Sequence, residues 1–229
     1  MRWLISSFII FTLLYQPLIG QSKNIVVLTF DGSINPSTAD YIHQGIKKAE
    51  TLKSECIILK LNTPGGLLKS TRVIVTEILE SPIPVIVYVS PPGSQAASAG
   101  VFITLAAHIA VMAPGTNIGA AHPVTLEGQQ DSIMMEKATN DAAAFIRTIS
   151  EKRERNIQWA EDAVRKSLSI TETEADSLNV INFIAANMED ILNKLDGMKV
   201  QTVKGEKIIR TKDAEIINID LSFTQELLN

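Results

Sequence analysis

The chain has 229 residues, enough for one or two domains, and its 45% hydrophobic and 20% charged content is that of ordinary globular material. A net charge of -4 excludes general nucleic-acid binding, which needs a basic face. Cys56 is the only cysteine, which excludes an intrachain disulfide, and His43, His108 and His122 have no metal-ligand spacing.

The first twenty residues stand apart. Arg2 supplies a short positive start, Trp3 to Tyr15 is almost all apolar, and Gln16-Pro17 breaks the run before Leu18-Ile19-Gly20. That is the pattern of a secretory signal peptide over residues 1–20, with cleavage near Gly20 or Gln21. Leu18 is an imperfect cleavage residue, so an uncleaved anchor competes, although the run is short for a full span. Either way the folded part is expected outside the cytoplasm, as an exported, periplasmic or extracytoplasmic membrane-associated protein.

Asn24 to Phe30 is a continuous apolar, β-branched run and predicts a buried strand. Ser37-Thr38-Ala39-Asp40 starts a helix that the spacing of Ile42, Ile46 and Ala49 carries from about Thr38 to Leu52. Cys56 to Leu61 is a second buried strand, with Cys56 a small packed hydrophobe. Asn62-Thr63-Pro64-Gly65-Gly66 follows at its C-terminal end, either as a plain turn or as a bend that frees a backbone N–H. Leu68, Thr71, Val75 and Ile78 mark a helical face that ends at Ser81-Pro82. Pro84 to Val89 is a third buried strand.

Gly93 to Gly100 comes next, followed by the apolar run Val101 to Ala107, long enough for two helical turns. Ser98 therefore sits where a strand hands over to a helix, flanked by Ala96, Ala97, Ala99 and Gly100. Small neighbours let a substrate backbone approach, and a helix N-terminus offers free N–H groups and a positive dipole end. Those features suit a nucleophile whose reaction makes an oxyanion. They equally suit a serine that only caps the helix.

Ile109 to Met112 is a short strand, and Asn117 to Val124 is a small-residue segment able to line a groove. Leu126 to Ser132 is polar and predicts a mobile loop. A helix follows from about Ile133 to Arg153, with Met134, Ala138, Ala142, Phe145 and Ile149 on its apolar side. Glu151 to Arg155 predicts a solvated charged end. Trp159 to Lys166 and the stretch after Thr171 are further short helices, the second closed by Asn179 as a left-handed cap. Val180 to Ala185 is a late strand, and Asn187 caps a helix that ends at Gly197. Val200 to Val203, Lys207 to Arg210 and Glu215 to Leu221 predict a small antiparallel β region.

Alternating strands and helices predict an α/β fold with a parallel sheet and right-handed crossovers. Ligands bind beyond the C-terminal ends of such strands, and Pro64-Gly65-Gly66 and Ser98 are both expected there. A serine needs a general base. Lys137 lies 39 positions further on and His122 lies 24 further on. Lysine serves only if burial or a neighbouring cation lowers its pKa. Asp141, four residues on, offers Lys137 an ordinary surface ion pair instead. His122 has the right intrinsic pKa, but no orienting carboxylate is evident, and a packed strand histidine is the plain alternative.

Pro64-Gly65-Gly66, the Gly93–Gly100 octet, Met112 to Gly119 and Lys137 to Asp141 together resemble the NfeD family, membrane-associated serine proteases of the ClpP/crotonase superfamily. The resemblance covers most of the chain after residue 20. It implies a ClpP/crotonase-like fold, a protease domain over residues 21–199 and a C-terminal β extension or linker over 200–229. It implies a Ser-Lys dyad in which Ser98 is the nucleophile and Lys137 the base. Backbone N–H groups of Gly66 and Ala99 would form the oxyanion hole. His122 falls near the histidine of ClpP, so a Ser-His pair stays open. No cofactor or metal is implied. The implied substrates are apolar segments of stomatin-like membrane proteins, and the implied assembly is a homodimer or larger. A crotonase-like acyl-CoA enzyme and an inactive scaffold holding a stomatin-like partner are the alternatives. Longer family members continue into transmembrane helices and a small β-barrel domain. This sequence stops after Leu227-Leu228, where such a membrane region is expected to begin.

Overall fold

In chain order, β1 (Asn24–Asp31) leads through α1 (Pro36–Leu52) to β2 (Cys56–Asn62), and α2 (Leu68–Leu79) leads to β3 (Val85–Val89). A short β4 (Gln95–Ala97) then precedes α3 (Ala99–Ala106), β5 (Ile109–Met112) and β6 (Asn117–Gly119). The second half comprises α4 (Ser132–Lys152), α5 (Ile157–Arg165), β7 (Ser169–Thr171), α6 (Glu172–Ser177), β8 (Phe183–Ile184) and α7 (Met188–Leu195). It closes with β9 (Lys199–Thr202), β10 (Gly205–Ile208) and β11 (Glu215–Ile219). This computed structural model describes residues 23–124 and 132–220. The expected signal peptide and most of the expected 126–132 loop lie outside them.

Six strands form one sheet in the order β11-β1-β2-β3-β5-β8, and every neighbouring pair is parallel. Its central strands β1, β2, β3 and β5 are largely apolar because both faces are covered, whereas the edge strand β11 is mostly exposed. Val26, Leu28 and Phe30 of β1, with Ile57, Leu59 and Leu61 of β2, face the layer that holds the first five helices. Ile25, Val27, Cys56 and Ile58 face α7 and the β9–β10 hairpin. The helix starts follow local chemistry. Asn35 caps α1 with a reciprocal Thr38 bond, Asn156 caps α5, Thr171 and Glu174 box α6, and Asn187 caps α7.

Three expectations change. β9 and β10 are antiparallel, but β11 runs parallel to β1 in the main sheet, secured by Tyr41 Oη donating to Ile219 O at 2.6 Å. The charged run at the end of α4 is solvated only in part: Glu151, Lys152 and Glu154 are exposed, but Arg155 is buried and Arg153 half-buried. The apolar stripe of α4 is buried only from Ala142 onward, and Met134 is exposed. A smaller three-stranded sheet, β4-β6-β7, had no counterpart in the sequence reading. It stands at the C-terminal ends of β3 and β5 and joins the end of β2 through a bridge between Thr63 and Ala96.

Candidate active site

Ser98 directly follows β4 and precedes the first residue of α3. Its backbone is at φ 50°, ψ -108°, a region an L-residue enters only at a cost of about 1–3 kcal/mol. Its side chain makes no capping hydrogen bond, so capping does not explain the serine. The local hydrogen bonds account for the strain. Ser98 N–H donates to Gly119 O at 3.1 Å, and Ala97 N–H donates to Thr63 O at 3.0 Å, which fixes the chain just before the turn. Val101 N–H then returns to Ser98 O at 3.1 Å to start the helix. A sharp strained strand-to-helix turn of this kind lifts a hydroxyl clear of its own backbone.

The Pro64-Gly65-Gly66 bend packs directly on this serine. A methyl group on Gly65 would come 2.6 Å from Ser98 Cβ and 3.1 Å from its Oγ. One on Gly66 would lie 2.1 Å from Ile34 O, because Gly66 bridges Ile34 backbone to backbone. Both positions therefore require glycine: the first leaves room for the hydroxyl, the second for the main chain of Ile34. Gly65 was only one letter of a turn in the sequence; its contact with Ser98 depends on the β2–β4 bridge. In that bridge to Ile34, Ile34 N–H donates to Gly65 O and Leu67 N–H donates to Ile34 O, both at 2.8 Å. Gly66 N–H has no hydrogen-bond acceptor among the described residues. Ala99 N–H, at the first helical position of α3, has no intrahelical acceptor either. The bend and the serine are thus together at one edge of the sheet.

Lys137 lies in the first turns of α4 and is exposed. It does not pair with Asp141, whose carboxylate instead takes Arg72 of α2 at 2.6 Å. Arg72 also lies 4.1 Å over the Phe145 ring, which stacks on Phe102 of α3 at 5.6 Å. Further along, Arg153 Nε donates to Ala106 O at 2.8 Å. These contacts make α3 and α4 run in the same direction. Lys137 is two turns before Phe145 on the stripe that carries Asp141, and Ser98 is one turn before Phe102. Both are at the same end of the helix pair, with exposed Ile133 and Met134 beside the lysine. No hydrogen bond joins Lys137 to Ser98.

His122 lies just beyond β6. Its Nδ1 is 2.9 Å from Val164 O, while Ala120 and Ala121 donate to Leu168 O and Ala163 O. The ring is half-buried against α5 and makes no hydrogen bond with Ser98. His43 pairs with Glu77 at 3.0 Å, and among the described residues no group of acidic, His and Cys side chains could hold a metal.

A family model for the NfeD1b N-terminal domain matches residues 24–216. The membrane-bound protease PH1510 of Pyrococcus horikoshii is 38% identical over 234 residues, covering 100% of this chain and 53% of that protein. The chain thus spans about half the length of that curated relative. A solved structure of the 1510-N membrane-bound stomatin-specific protease, with a lysine changed to alanine and a substrate peptide bound, superposes with a TM-score of 0.84. It is 34% identical and covers 90% of this chain and 96% of that one. A second structure of that protease, with a serine changed to alanine, gives a TM-score of 0.81 at 35% identity, covering 88% and 99%. ClpP1 from Listeria monocytogenes shares the fold at a TM-score of 0.58 and 19% identity, covering 71% of this chain and 92% of that one.

Proposed function

Since the chain belongs to the NfeD1b N-terminal-domain family, we propose that it is a serine endopeptidase in which Ser98 is the nucleophile and Lys137 the base. The observation that carries this reading is the strained Ser98 turn, whose uncapped hydroxyl is packed against Gly65. The related structures support the pair: the serine and the lysine changed in them are 41 positions apart, against 39 between Ser98 and Lys137.

Neutral Lys137 takes the Ser98 proton as Oγ attacks the peptide carbonyl. The oxyanion accepts from Gly66 and Ala99 N–H, a type of contact worth about 3–4 kcal/mol per donor in the transition state. The C–N bond breaks, the amine leaves with the proton held by Lys137, and an acyl-enzyme remains. Water then attacks the ester, Lys137 accepts its proton and returns it to Ser98, and the acid product departs. Lys137 is exposed, so it needs cover to lose its charge. An apolar peptide lying over Ile133 and Met134 removes water from the amine at the moment of reaction. The requirement ties catalysis to apolar segments and supports a stomatin-like membrane protein as the substrate.

No described helix is long and apolar enough to cross a membrane. The relative is named membrane-bound, and we place the present chain at an extracytoplasmic membrane surface as a homodimer or larger assembly. The decisive experiment is fluorophosphonate labelling together with hydrolysis of an apolar fluorogenic peptide. Ser98→Ala abolishes both, and Lys137→Ala lowers both by at least about a hundredfold. Undiminished turnover in Ser98→Ala rules the reading out. Loss in His122→Ala with retention in Lys137→Ala transfers the base to His122.

A further inference from the structure

Thr63 ends the run out of β2 and is fully buried one residue before the Pro64-Gly65-Gly66 bend. Its main chain holds the strand that leads into Ser98: Thr63 N–H donates to Gln95 O at 2.8 Å, and Thr63 O accepts from Ala97 at 3.0 Å. Its side chain holds the bend. Gly65 N–H donates to Thr63 Oγ1 at 3.1 Å, and the hydroxyl donates to Gly65 O at 3.2 Å. Gly65 O also receives Ile34 N–H at 2.8 Å. In a trans peptide the carbonyl and the following N–H point in opposite directions. Two donors on Gly65 O therefore turn Gly66 N–H away from Ile34 and from the threonine hydroxyl. A Gly-Gly peptide has no Cβ to resist rotation, so the anchors set its orientation. The threonine methyl fills the space beside Gly100, where an added methyl would come 2.8 Å from Thr63 Cγ2.

We propose that Thr63 is a positioning residue whose hydroxyl locks the Gly65–Gly66 peptide with its N–H turned to receive the oxyanion. One residue then registers both halves of the site, the serine through its main chain and the oxyanion donor through its side chain. The proposal rests on the serine-hydrolase reading above. It adds that the donor is preorganised by a hydroxyl, so the loss falls on the transition state and not on substrate binding.

The test uses the full chain and an apolar fluorogenic peptide. Thr63→Val keeps the branched shape and removes the hydroxyl. It lowers kcat about ten- to a hundredfold with KM within about twofold, less than the roughly hundred- to thousandfold of losing an oxyanion donor outright because Ile34 N–H still anchors Gly65 O, while Thr63→Ser keeps kcat within about threefold. A wild-type kcat in Thr63→Val, a defect wholly in KM, or no rescue by serine overturns the lock. Amide hydrogen exchange on the unmutated protein gives a reading that does not depend on whether the valine variant folds. The Gly65 amide is expected to be protected and the Gly66 amide fast, and equal rates overturn the proposal. Undiminished turnover in Ser98→Ala sinks the hydrolase reading itself. An inactive Ser98→Ala beside an unaffected Thr63→Val sinks only the lock.

Discussion

The two ends of α3 are built on opposite principles. At its N-terminus, Ser98 is strained, uncapped and only half-buried, and Ala99 N–H is left without an intrahelical acceptor. At its C-terminus, hardly a carbonyl is free. Arg155 donates to Leu105 O and Ala107 O, both at 3.1 Å, and to Val180 O at 3.2 Å, while Arg153 takes Ala106 O at 2.8 Å. These guanidinium groups meet the negative end of the helix with no carboxylate bonded to them among the described residues. Burial pushes Arg155 down to about 9 and Arg153 down to about 10, and Arg155 is further disfavoured by Arg153. An eight-residue helix that is buried throughout can hold strained geometry at one end because the other is clamped.

Breaking the clamp gives the largest expected effect. Arg155→Met removes the buried cation but takes the guanidinium donor from three carbonyls, while Asn182 Oδ1 keeps the Ala110 N–H at 2.8 Å. The cost is roughly 3 kcal/mol, given about 1–3 kcal/mol for each unsatisfied buried group less the relief of an unpaired charge. For a chain of this size Tm falls by about 6–12 °C in thermal unfolding. An unchanged Tm means the arginine does not hold the helix end.

The same cluster gives a pH dependence. His108 Nδ1 accepts Val85 N–H at 3.1 Å. Burial first, then Arg153, Lys152 and Arg155, push its pKa down to about 3. The unfolded chain therefore takes up a proton near pH 6.5 that the folded chain refuses until about pH 3. The stabilisation is complete above pH 6.5 and is lost as pH falls toward 3, at roughly 2 kcal/mol between pH 7 and pH 5. His108→Asn keeps an acceptor for Val85 and removes the titration. Denaturant unfolding at the two pH values should show the wild-type loss and a flatter variant, and equal slopes contradict the assignment.

This contrast between the ends also marks what the sequence made legible. The strands from β1 to β3, β5, the helix starts at Thr171 and Asn187, and the left-handed Asn179 were readable because their causes are local: apolar runs, capping side chains and a φ of 56°. Ser98 was legible as a strand-to-helix serine for the same reason. The clamp was not. Glu151 to Arg155 has the composition of a solvated end, and nothing local says that Arg155 will reach carbonyls about fifty residues earlier. The pairing of β4 with β6 and the contact of Gly65 with Ser98 are equally non-local.

At the open end, Ser98→Gly should lose all labelling and yet gain stability. Glycine enters φ 50° freely, so the strain is released. The gain is about 0.5–1 kcal/mol after the extra freedom of the unfolded chain is subtracted. Thermal unfolding of this variant beside Ser98→Ala separates the two effects, because alanine keeps the strain and glycine does not. A glycine variant less stable than the alanine one means that Ser98 is not under backbone strain.

The smallest effect tests how the two ends differ in the neighbouring helix. The far end of α4 is fastened by the buried Arg155 and part-buried Arg153 bonds, whereas the Lys137 end is fastened by exposed pairs, Arg165 to Asn140 Oδ1 at 2.8 Å and Arg72 to Asp141, whose side chains are 38% and 65% exposed. Solvent screening holds such a pair to about 0.5 kcal/mol despite its 2.6 Å separation. Arg72→Ala also loses the Phe145 ring contact, so single variants do not isolate the ion pair. A double-mutant cycle with Asp141→Asn does, and its coupling energy should shrink further in about 1 M salt. On the proposed mechanism, weak coupling leaves the first turns of α4 able to adjust over Ser98 when an apolar peptide binds, as an exposed base would require. A salt-insensitive coupling above about 1.5 kcal/mol means that this end is as rigid as the other, with no adjustment available to shield the amine.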